Sequence, residues 1–161
     1  MQWKYWLNHD LFSAQWWAIL ILNAIFLILF ILLIDRQRLL LISLTFMVSI
    51  FLIGLIDETG NFFNKWNYPH QFVPFSSRFN AVDFALIPVT ISLIYQTFSR
   101  WIFFLVAFLI VDIIIAFIGI PIFVYFHLYQ PHNWNYFSSF IVLYLVGIMI
   151  KWIVDFILKR K

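Results

Sequence analysis

The chain has 161 residues, 65% of them hydrophobic and 11% charged, with a formal net charge of +3. A soluble domain carries about 25% charged residues, so this composition excludes an ordinary water-soluble protein and favours one that spans a membrane. Because the chain has no cysteine, disulfides, thiol catalysis and thiolate metal sites are excluded. The small excess of Lys and Arg over Asp and Glu fits a membrane-topology signal better than a nucleic-acid surface.

Five apolar stretches follow one another and predict five membrane-spanning helices. At about 1.5 Å per residue they are long enough to cross about 30 Å of hydrocarbon, although the third is marginal because it opens with Asp83. None has the two-residue alternation of a β-barrel strand. The sequence therefore predicts an all-α integral membrane fold, an antiparallel bundle of five helices forming a single transmembrane domain over residues 1–161. The predicted spans are residues 14–34, 39–56, 81–98, 101–126 and 137–158.

Basic residues are distributed unevenly between the two sides that five spans create. Most Lys and Arg lie in the turn after the first span, at the junction after the third, and at the C-terminus. Segments rich in Lys and Arg stay in the cytoplasm. This rule predicts a multi-pass protein with its N-terminus outside and its C-terminus inside.

Most of the other polar residues fall on the predicted outer side and form a candidate site. The adjacent Asp57 and Glu58 end the second span, either as carboxylates ready for proton transfer or cation binding, or as a solvated helix end. Neighbouring helical residues point about 100° apart, so the two carboxylates need not share a target. The candidate outer-face residues are Asp57, Glu58, Tyr68, His70, Arg78, Asp83 and His132.

Residues 67–79, between the second and third spans, are rich in aromatic residues and proline. Pro69 and Pro74 each disfavour helix at the preceding residue, so the pattern predicts an interfacial segment. It could be a plain connector, or a lid or lipid-headgroup platform with Arg78 holding a phosphate. Pro88 and Pro121 predict kinks in the third and fourth spans that would widen a cavity beneath this segment.

The four histidines lie on the predicted outer side without the spacing of a metal motif. His127 and His132 are five positions apart, and no HExxH is present. The less favoured alternative is a zinc site assembled in space from His9, His70, His132 and the Asp57 and Glu58 carboxylates. No cofactor and no metal are therefore predicted.

Asp112 lies near the middle of the fourth predicted span. A charge at the bilayer centre costs about 3 kcal/mol or more, so this side chain must face the bundle, be neutral, or have partners. Asn23 lies at a similar predicted depth in the first span. The favoured interpretation is a neutral Asp112 hydrogen-bonded to Asn23 between helices, and the alternative is a proton or ion relay.

Several short motifs in the second half of the chain recur together in one known family. They are Tyr68-Pro69, Phe72-Val73-Pro74, Phe84 with Pro88, and Asn133-Trp134-Asn135-Tyr136. In these motifs the chain, from residue 68 to the C-terminus, resembles a family of small, uncharacterised multi-spanning membrane proteins of spore-forming Gram-positive bacteria. The resemblance implies a helical bundle in the bacterial cytoplasmic membrane and a shaped element at residues 68–74. It implies no activity, because that family has no assigned reaction.

Three hypotheses for function stay open. The leading one is a non-enzymatic membrane protein whose outward aromatic and polar surface binds lipid, a partner protein or a small ligand. One alternative is a membrane-embedded enzyme or metal site that uses Asp57, Glu58, His70 and His132. The other is a small proton- or ion-coupled transporter that uses Asp112. The expected partners are membrane lipid and either a second copy of the chain or another membrane protein, and not nucleic acid.

Overall fold

The chain is mainly helical in the computed structural model, which describes residues 2–74, 80 and 82–159. The elements of this described part are α1 (Gln2–His9), α2 (Ala14–Leu33), α3 (Leu39–Phe62), β1 (Trp66–Asn67), α4 (Ile87–Thr97), α5 (Trp101–Ile114), α6 (Ile120–Tyr125), β2 (Gln130–Pro131) and α7 (Tyr136–Ile157). A 3₁₀ turn over Arg36–Arg38 precedes α3, and π-helical turns over Val82–Leu86 and Ile115–Gly119 precede α4 and α6.

Within the described residues, four helical segments are long and apolar enough to cross a membrane. They are Ala14–Leu33, Arg36–Phe62, Trp101–Tyr125 and Tyr136–Ile157. The prediction of long apolar helices is therefore confirmed for the first, second, fourth and fifth predicted spans. The predicted third span is helical over residues 82–97, which rise about 24 Å and are shorter than the other four. The number of five spans stays a prediction.

The short helix α4 lies in the core of the bundle. Its residues Ile87, Ile91 and Tyr95 are buried and belong to one apolar cluster with residues of α3, α5 and α7. Helix α2, by contrast, exposes most of its apolar side chains.

Two prolines explain why the third and fourth helical segments change geometry partway along. Pro88 and Pro121 lie at the first positions of α4 and α6, each directly after a π-helical turn. Proline has no N–H to complete the helical hydrogen bond, and its ring collides with the preceding turn of a regular α-helix. The wider π turn accommodates this defect.

The loops after α3 and α6 meet at one end of the bundle, which we call the loop end. Strands β1 and β2 pair antiparallel there, with Trp66 opposite Pro131 and Asn67 opposite Gln130. The N-terminal region is tied to the same end by indole hydrogen bonds. Trp6 Nε1 donates to the Gln71 carbonyl at 2.9 Å, and Trp16 Nε1 donates to the Phe72 carbonyl at 3.0 Å.

The opposite end, which we call the turn end, joins α2 to α3 and α4 to α5. The side chain of Gln96 links these two connections, because its Oε1 accepts from the Asp35 N–H at 2.8 Å and its Nε2 donates to the Leu33 carbonyl at 2.9 Å. Arg38 also donates to the Gln96 carbonyl at 3.1 Å. Both ends of the bundle are therefore held by side-chain hydrogen bonds between distant segments.

Candidate functional site

A buried hydrogen-bonded group lies at the loop end, and we call it the acid–tyrosine cluster (Asp57, Trp66, Tyr68, Asn80 and Asp83). Asp57 Oδ1 accepts from Trp66 Nε1 at 2.9 Å and from Tyr68 Oη at 2.5 Å. Tyr68 Oη also lies 3.0 Å from Asp83 Oδ2. All five side chains are buried. One phenol therefore bridges two buried carboxyl groups from different helical segments.

Local backbone geometry places these side chains. The Trp66 ring lies against Gly60 of α3, where an added Cβ would come within 2.0 Å of the ring, so only glycine permits this approach. Asn80 and Asp83 form a reciprocal pair before the π turn, since Asn80 Oδ1 accepts from the Asp83 N–H at 2.8 Å and Asn80 Nδ2 donates to Asp83 Oδ2 at 2.6 Å. This arrangement resembles a capping box and fixes the Asp83 carboxyl beside Tyr68.

A count of protons limits the charge of the cluster. A phenol has one proton, so Tyr68 can donate to only one of its two carboxyl neighbours. The other contact becomes a hydrogen bond only if that carboxyl is protonated and donates to Tyr68 Oη. Burial raises the pKa of Tyr68 well above its ordinary value, and the Asp83 and Asp57 charges raise it further. The phenol is therefore neutral, and one negative charge shared by the two carboxyl groups satisfies both contacts of Tyr68 Oη.

A cavity of about 110 Å³ adjoins the cluster. Its walls are mainly apolar and come from α3, α4, α7 and the residues around the second π turn. The apolar lining includes Ile53, Ile87, Ile115, Ile120, Val142, Leu143 and Val146. Asp57, Tyr68 and Asp83 also line it, and the buried Asp57 Oδ2 has no hydrogen-bond partner among the residues that the structure describes. An acceptor without a donor among the described residues therefore lies at the wall of a partly open cavity.

Aromatic rings form another wall of the cavity. Trp134 and Trp66 have ring centroids 5.0 Å apart, Trp66 and Tyr129 6.5 Å, and Tyr129 and Tyr68 5.7 Å. Trp134 Nε1 donates to Ser139 Oγ at 2.8 Å. Burial also raises the pKa of Tyr129, so both tyrosines are neutral. Among the described residues, no Lys, Arg or His lines the cavity.

The structure brings together some of the residues that the sequence analysis predicted as site candidates. Asp57, Tyr68 and Asp83 belong to one cluster, whereas Glu58 is exposed on the next position of α3. His132 is exposed in the loop after α6. Arg78 lies outside the described residues, so its contact with a phosphate stays a prediction. Trp66, Asn80 and Tyr129 complete the site, although the sequence nominated none of them.

The histidines lie apart from the carboxyl pair. His70 Nδ1 is 2.9 Å from Asp10 Oδ1, and this contact ties the N-terminal region to the loop that carries Tyr68. Within residues 2–74, 80 and 82–159, no group of three or more His, Asp or Glu side chains has the arrangement of a metal site. The described residues thus supply no set of ligands for zinc.

The expected hydrogen bond between Asn23 and Asp112 is wrong. Asn23 Nδ2 donates instead to the Ile19 carbonyl at 2.9 Å and to the Asn80 carbonyl at 3.1 Å. Both Asp112 carboxyl oxygens are buried without a partner among the described residues. Sequence predicts the depth of a residue along a span but not which helices are neighbours: α2 packs mainly against α4 and the π turn before it, whereas α5 packs mainly against α7, α4 and the second π turn.

Asp112 lies on the face of α5 that also carries Phe104 and Phe108 at intervals of one helical turn. Phe108 packs closely on Gly147 of α7, where an added Cβ would come within 2.0 Å of its ring. This face of α5 therefore points toward α7. Asn23, on α2, contacts the loop end of the bundle instead.

A second buried charged group lies at the turn end, and we call it the lysine cluster (Tyr95, Ser99, Lys151 and Asp155). Lys151 Nζ donates to the Ser99 carbonyl at 2.8 Å and lies 3.4 Å from Asp155 Oδ2. Tyr95 Oη donates to Asp155 Oδ1, and Lys151 Nζ lies 4.0 Å from the Tyr95 ring centroid. The sequence carried a signal for this pair, because Lys and Asp four positions apart share one helix face.

No family model, no curated protein and no solved structure matches the chain. The family resemblance drawn from the sequence motifs therefore stays a prediction. The acid–tyrosine cluster and its cavity are the features of the described residues that bear on function.

Proposed function

We propose that this protein is an integral membrane protein that binds a small ligand in the cavity beside Asp57, without enzymatic chemistry of its own. The observation that carries the proposal is the buried Asp57 Oδ2, which has no hydrogen-bond partner among the described residues and lies at the wall of a cavity of about 110 Å³. A buried acceptor without a partner costs about 1–3 kcal/mol, and more if charged. A ligand that donates a hydrogen bond to Asp57 Oδ2 removes this free-energy cost, so the arrangement favours ligand binding.

The burial of the aromatic residues supports a small ligand over a lipid or protein surface. Trp66 and Tyr68 are only 8% and 9% exposed, so neither can contact a partner that lies on the outside of the protein. Their polar atoms are aimed at Asp57. The recognition groups therefore serve a space inside the bundle.

The proposed membrane placement has five spans, with residues 82–97 as the third. The burial of α4 among its neighbours supports a short helix that crosses within the bundle, away from lipid. The distribution of Lys and Arg supports an outer N-terminus and an inner C-terminus, so that the loop end faces outward. The family resemblance favours the bacterial cytoplasmic membrane, whose lipid would cover the exposed apolar face of α2.

The enzymatic alternative has less support. A general acid–base pair or a metal site needs its groups within about 3 Å of a shared reacting atom. Glu58 and His132 are exposed, and His70 contacts Asp10. These residues therefore do not complete a reactive arrangement around Asp57.

A transporter that uses Asp112 is the second candidate, because both oxygens of this fully buried acid lack partners among the described residues. An intramembrane acid of this kind is typical of proton and ion pathways. Asp112→Asn is the test, with proton and Na⁺ flux measured in liposomes. If the protein is such a transporter, the unsubstituted protein supports a flux of protons or Na⁺ and Asp112→Asn abolishes it. Equal flux in both proteins would remove the candidate.

Cysteine chemistry tests the binding proposal cleanly, because the chain has no native cysteine. Val142 lines the cavity, and its neighbour Ile141 is exposed, so Val142→Cys and Ile141→Cys form a matched pair. Each variant is labelled with the small neutral reagent methyl methanethiosulfonate in nanodiscs. Three probes of one shape are added in turn: isobutylamine, isobutanol and isobutyrate.

We expect at least one probe to slow the labelling of Val142→Cys by about threefold or more while the labelling of Ile141→Cys is unchanged, because only an occupied cavity shields position 142. Failure of all three probes to protect Val142→Cys would contradict the binding proposal. Equal protection of both variants would contradict it too, since that result indicates an effect on the bilayer.

A further inference from the structure

The charge of the cavity restricts what it can bind, and this step rests on the proposed function. Asp57 and Asp83 both line the space, and among the described residues no basic side chain lines it. A shared negative charge in an apolar surrounding is costly until an opposite charge or strong donors neutralise it. The cavity therefore favours a cation and disfavours an anion of the same size.

The aromatic wall favours the same choice. Trp66, Tyr68, Tyr129 and Trp134 line the cavity together. The faces of such rings attract cations electrostatically, most strongly for Trp, and desolvation strengthens the attraction. Two carboxyl groups with four neutral rings form a lining that is typical of a site for an organic ammonium.

The unpartnered oxygen distinguishes between classes of ammonium. Asp57 Oδ1 already accepts from Trp66 and Tyr68. Asp57 Oδ2 has no N–H or hydroxyl donor among the described residues, and the neighbouring Asp83 carboxyl is a donor to Asp57 only when it is protonated and does not donate to Tyr68. A quaternary ammonium has no N–H to offer it, whereas a primary ammonium has three. The geometry thus calls for a ligand with an N–H group at this position.

The size and character of the remaining wall describe the rest of the ligand. A cavity of about 150 Å³ holds a benzene molecule, so the volume of about 110 Å³ found here suits about five heavy atoms. Ile87, Val142 and Val146 present only hydrocarbon to this space. An alkyl body fits these side chains and leaves no polar group without a partner.

We infer that the cavity binds a primary ammonium group attached to a short alkyl body, with its N–H directed at Asp57 Oδ2 and its alkyl body against Val142 and Val146. A free amine and the ethanolamine headgroup of a phospholipid share this chemistry. The two sources differ in whether the ligand arrives with the membrane.

The experiment measures protection of Val142→Cys from methyl methanethiosulfonate in phosphatidylcholine nanodiscs, with three probes of about five heavy atoms. Isobutylammonium has both the charge and the N–H, tetramethylammonium has the charge alone, and isobutanol has neither charge nor N–H. We expect isobutylammonium to protect at a concentration about tenfold or more below those of the other two, as a charge-assisted hydrogen bond requires. Equal protection by isobutanol would overturn the inference and leave the binding proposal standing. Absence of protection by all three probes would overturn both.

Substitution at the carboxyl group locates the effect. In the Val142→Cys background, Asp57→Asn is expected to erase the preference for isobutylammonium over isobutanol, whereas Glu58→Gln, at the adjacent exposed position, is expected to keep it. Protection by isobutanol in the Asp57→Asn variant confirms that the cavity is folded. If Asp57→Asn does not fold, the comparison of the three probes in the Val142→Cys protein with Asp57 intact still tests whether the cavity prefers a primary ammonium. A preference that survives Asp57→Asn in a folded protein would overturn the assignment.

A last arm separates the two sources of the ammonium group. Nanodiscs that contain phosphatidylethanolamine are compared with phosphatidylcholine nanodiscs, without added amine. Slower labelling of Val142→Cys with phosphatidylethanolamine assigns the ammonium to a lipid headgroup, and an unchanged rate assigns it to a free amine. Faster labelling in phosphatidylethanolamine would contradict occupation by either source.

Discussion

The two ends of the bundle each bury a tyrosine hydroxyl with an aspartate, but they differ in how the negative charge is neutralised. Each end buries a tyrosine hydroxyl against an aspartate, as Tyr68 with Asp57 at the loop end and Tyr95 with Asp155 at the turn end. At the turn end Lys151 supplies the opposite charge and lies over the Tyr95 ring. At the loop end, among the described residues, no basic side chain lines the cavity and Asp57 Oδ2 has no hydrogen-bond partner.

The difference separates a structural role from a binding role. The lysine cluster joins α7 to α4 and to the Ser99 carbonyl, and its charges are neutralised within the protein. Removal of either partner of such a buried ion pair strongly destabilises the folded protein, because the other charge is left without compensation. The acid–tyrosine cluster is incompletely satisfied, and proteins keep such arrangements where function needs them despite their cost in stability. Substitutions at the two ends should therefore affect different properties.

The largest expected effect is at the turn end. Lys151→Met leaves Asp155 buried with Tyr95 as its remaining partner among the described residues, so we expect the free energy of unfolding to fall by about 3 kcal/mol or more. Reversible unfolding in detergent measures this change. Lys159→Met, at an exposed position just beyond α7, is the control and should change stability little. A loss below about 1 kcal/mol for Lys151→Met would place the cluster among weak surface pairs.

The next effect tests the packing that holds the loop end. Gly60→Ala places a Cβ within 2.0 Å of the Trp66 ring, so the ring must shift and its hydrogen bond to Asp57 must change. We expect a loss of about 1–3 kcal/mol in unfolding free energy, together with weaker protection by isobutylammonium. Gly54→Ala on the same helix meets no atom within 4 Å and should raise stability by up to about 1 kcal/mol. Equal effects of the two substitutions would contradict the close contact between Trp66 and α3.

The dependence of stability on pH tests the burial of Tyr68. Its pKa in the folded chain is raised by burial above the ordinary value of 10.0. The stabilisation is therefore fully present below pH 10 and is lost above it, by up to about 1.4 kcal/mol per pH unit for one group. Tyr68→Phe should make this alkaline loss less steep, as measured by unfolding between about pH 9 and pH 11. The exposed Tyr125→Phe is the control, and an identical slope in all three proteins would contradict the account.

Much of the architecture could be predicted because the signals are local. Composition and run length identify a helix that can cross a membrane, and four of five predicted spans meet that standard. The third predicted span is harder, because two features oppose each other. Pro88 and Asp83 indicate an end or a break in this span, while its burial in the core depends on neighbours that periodicity does not reveal.

The candidate site could be predicted only in part. Asp57, Tyr68 and Asp83 drew attention as polar residues beside apolar runs. The position of Trp66 depends on Gly60 of α3, against which its ring packs. Tyr129 reaches the site from a loop that is more than 60 positions from Tyr68 in the sequence. The pairing of β1 with β2 creates that proximity. Long-range pairing of two-residue strands leaves no periodic trace in a sequence.

The error at Asn23 and Asp112 has the same origin. Equal depth in two spans is a condition for contact, but each helix must also present the residue toward the other. Asp112 shares its face of α5 with Phe104 and Phe108, and those rings face α7. A face can be predicted only when the positions of neighbouring helices are known.

The smallest expected change in stability bears on the central claim most directly. Asp57→Asn keeps an acceptor for Trp66 and Tyr68 and removes a carboxylate oxygen that has no partner among the described residues. The measurement is the free energy of unfolding of Asp57→Asn in detergent beside that of Lys151→Met. A binding site predicts a value within about 0.5 kcal/mol of the unsubstituted protein, or higher, with the preference for isobutylammonium lost. A loss for Asp57→Asn as large as that for Lys151→Met would contradict the account, because both ends would then be structural.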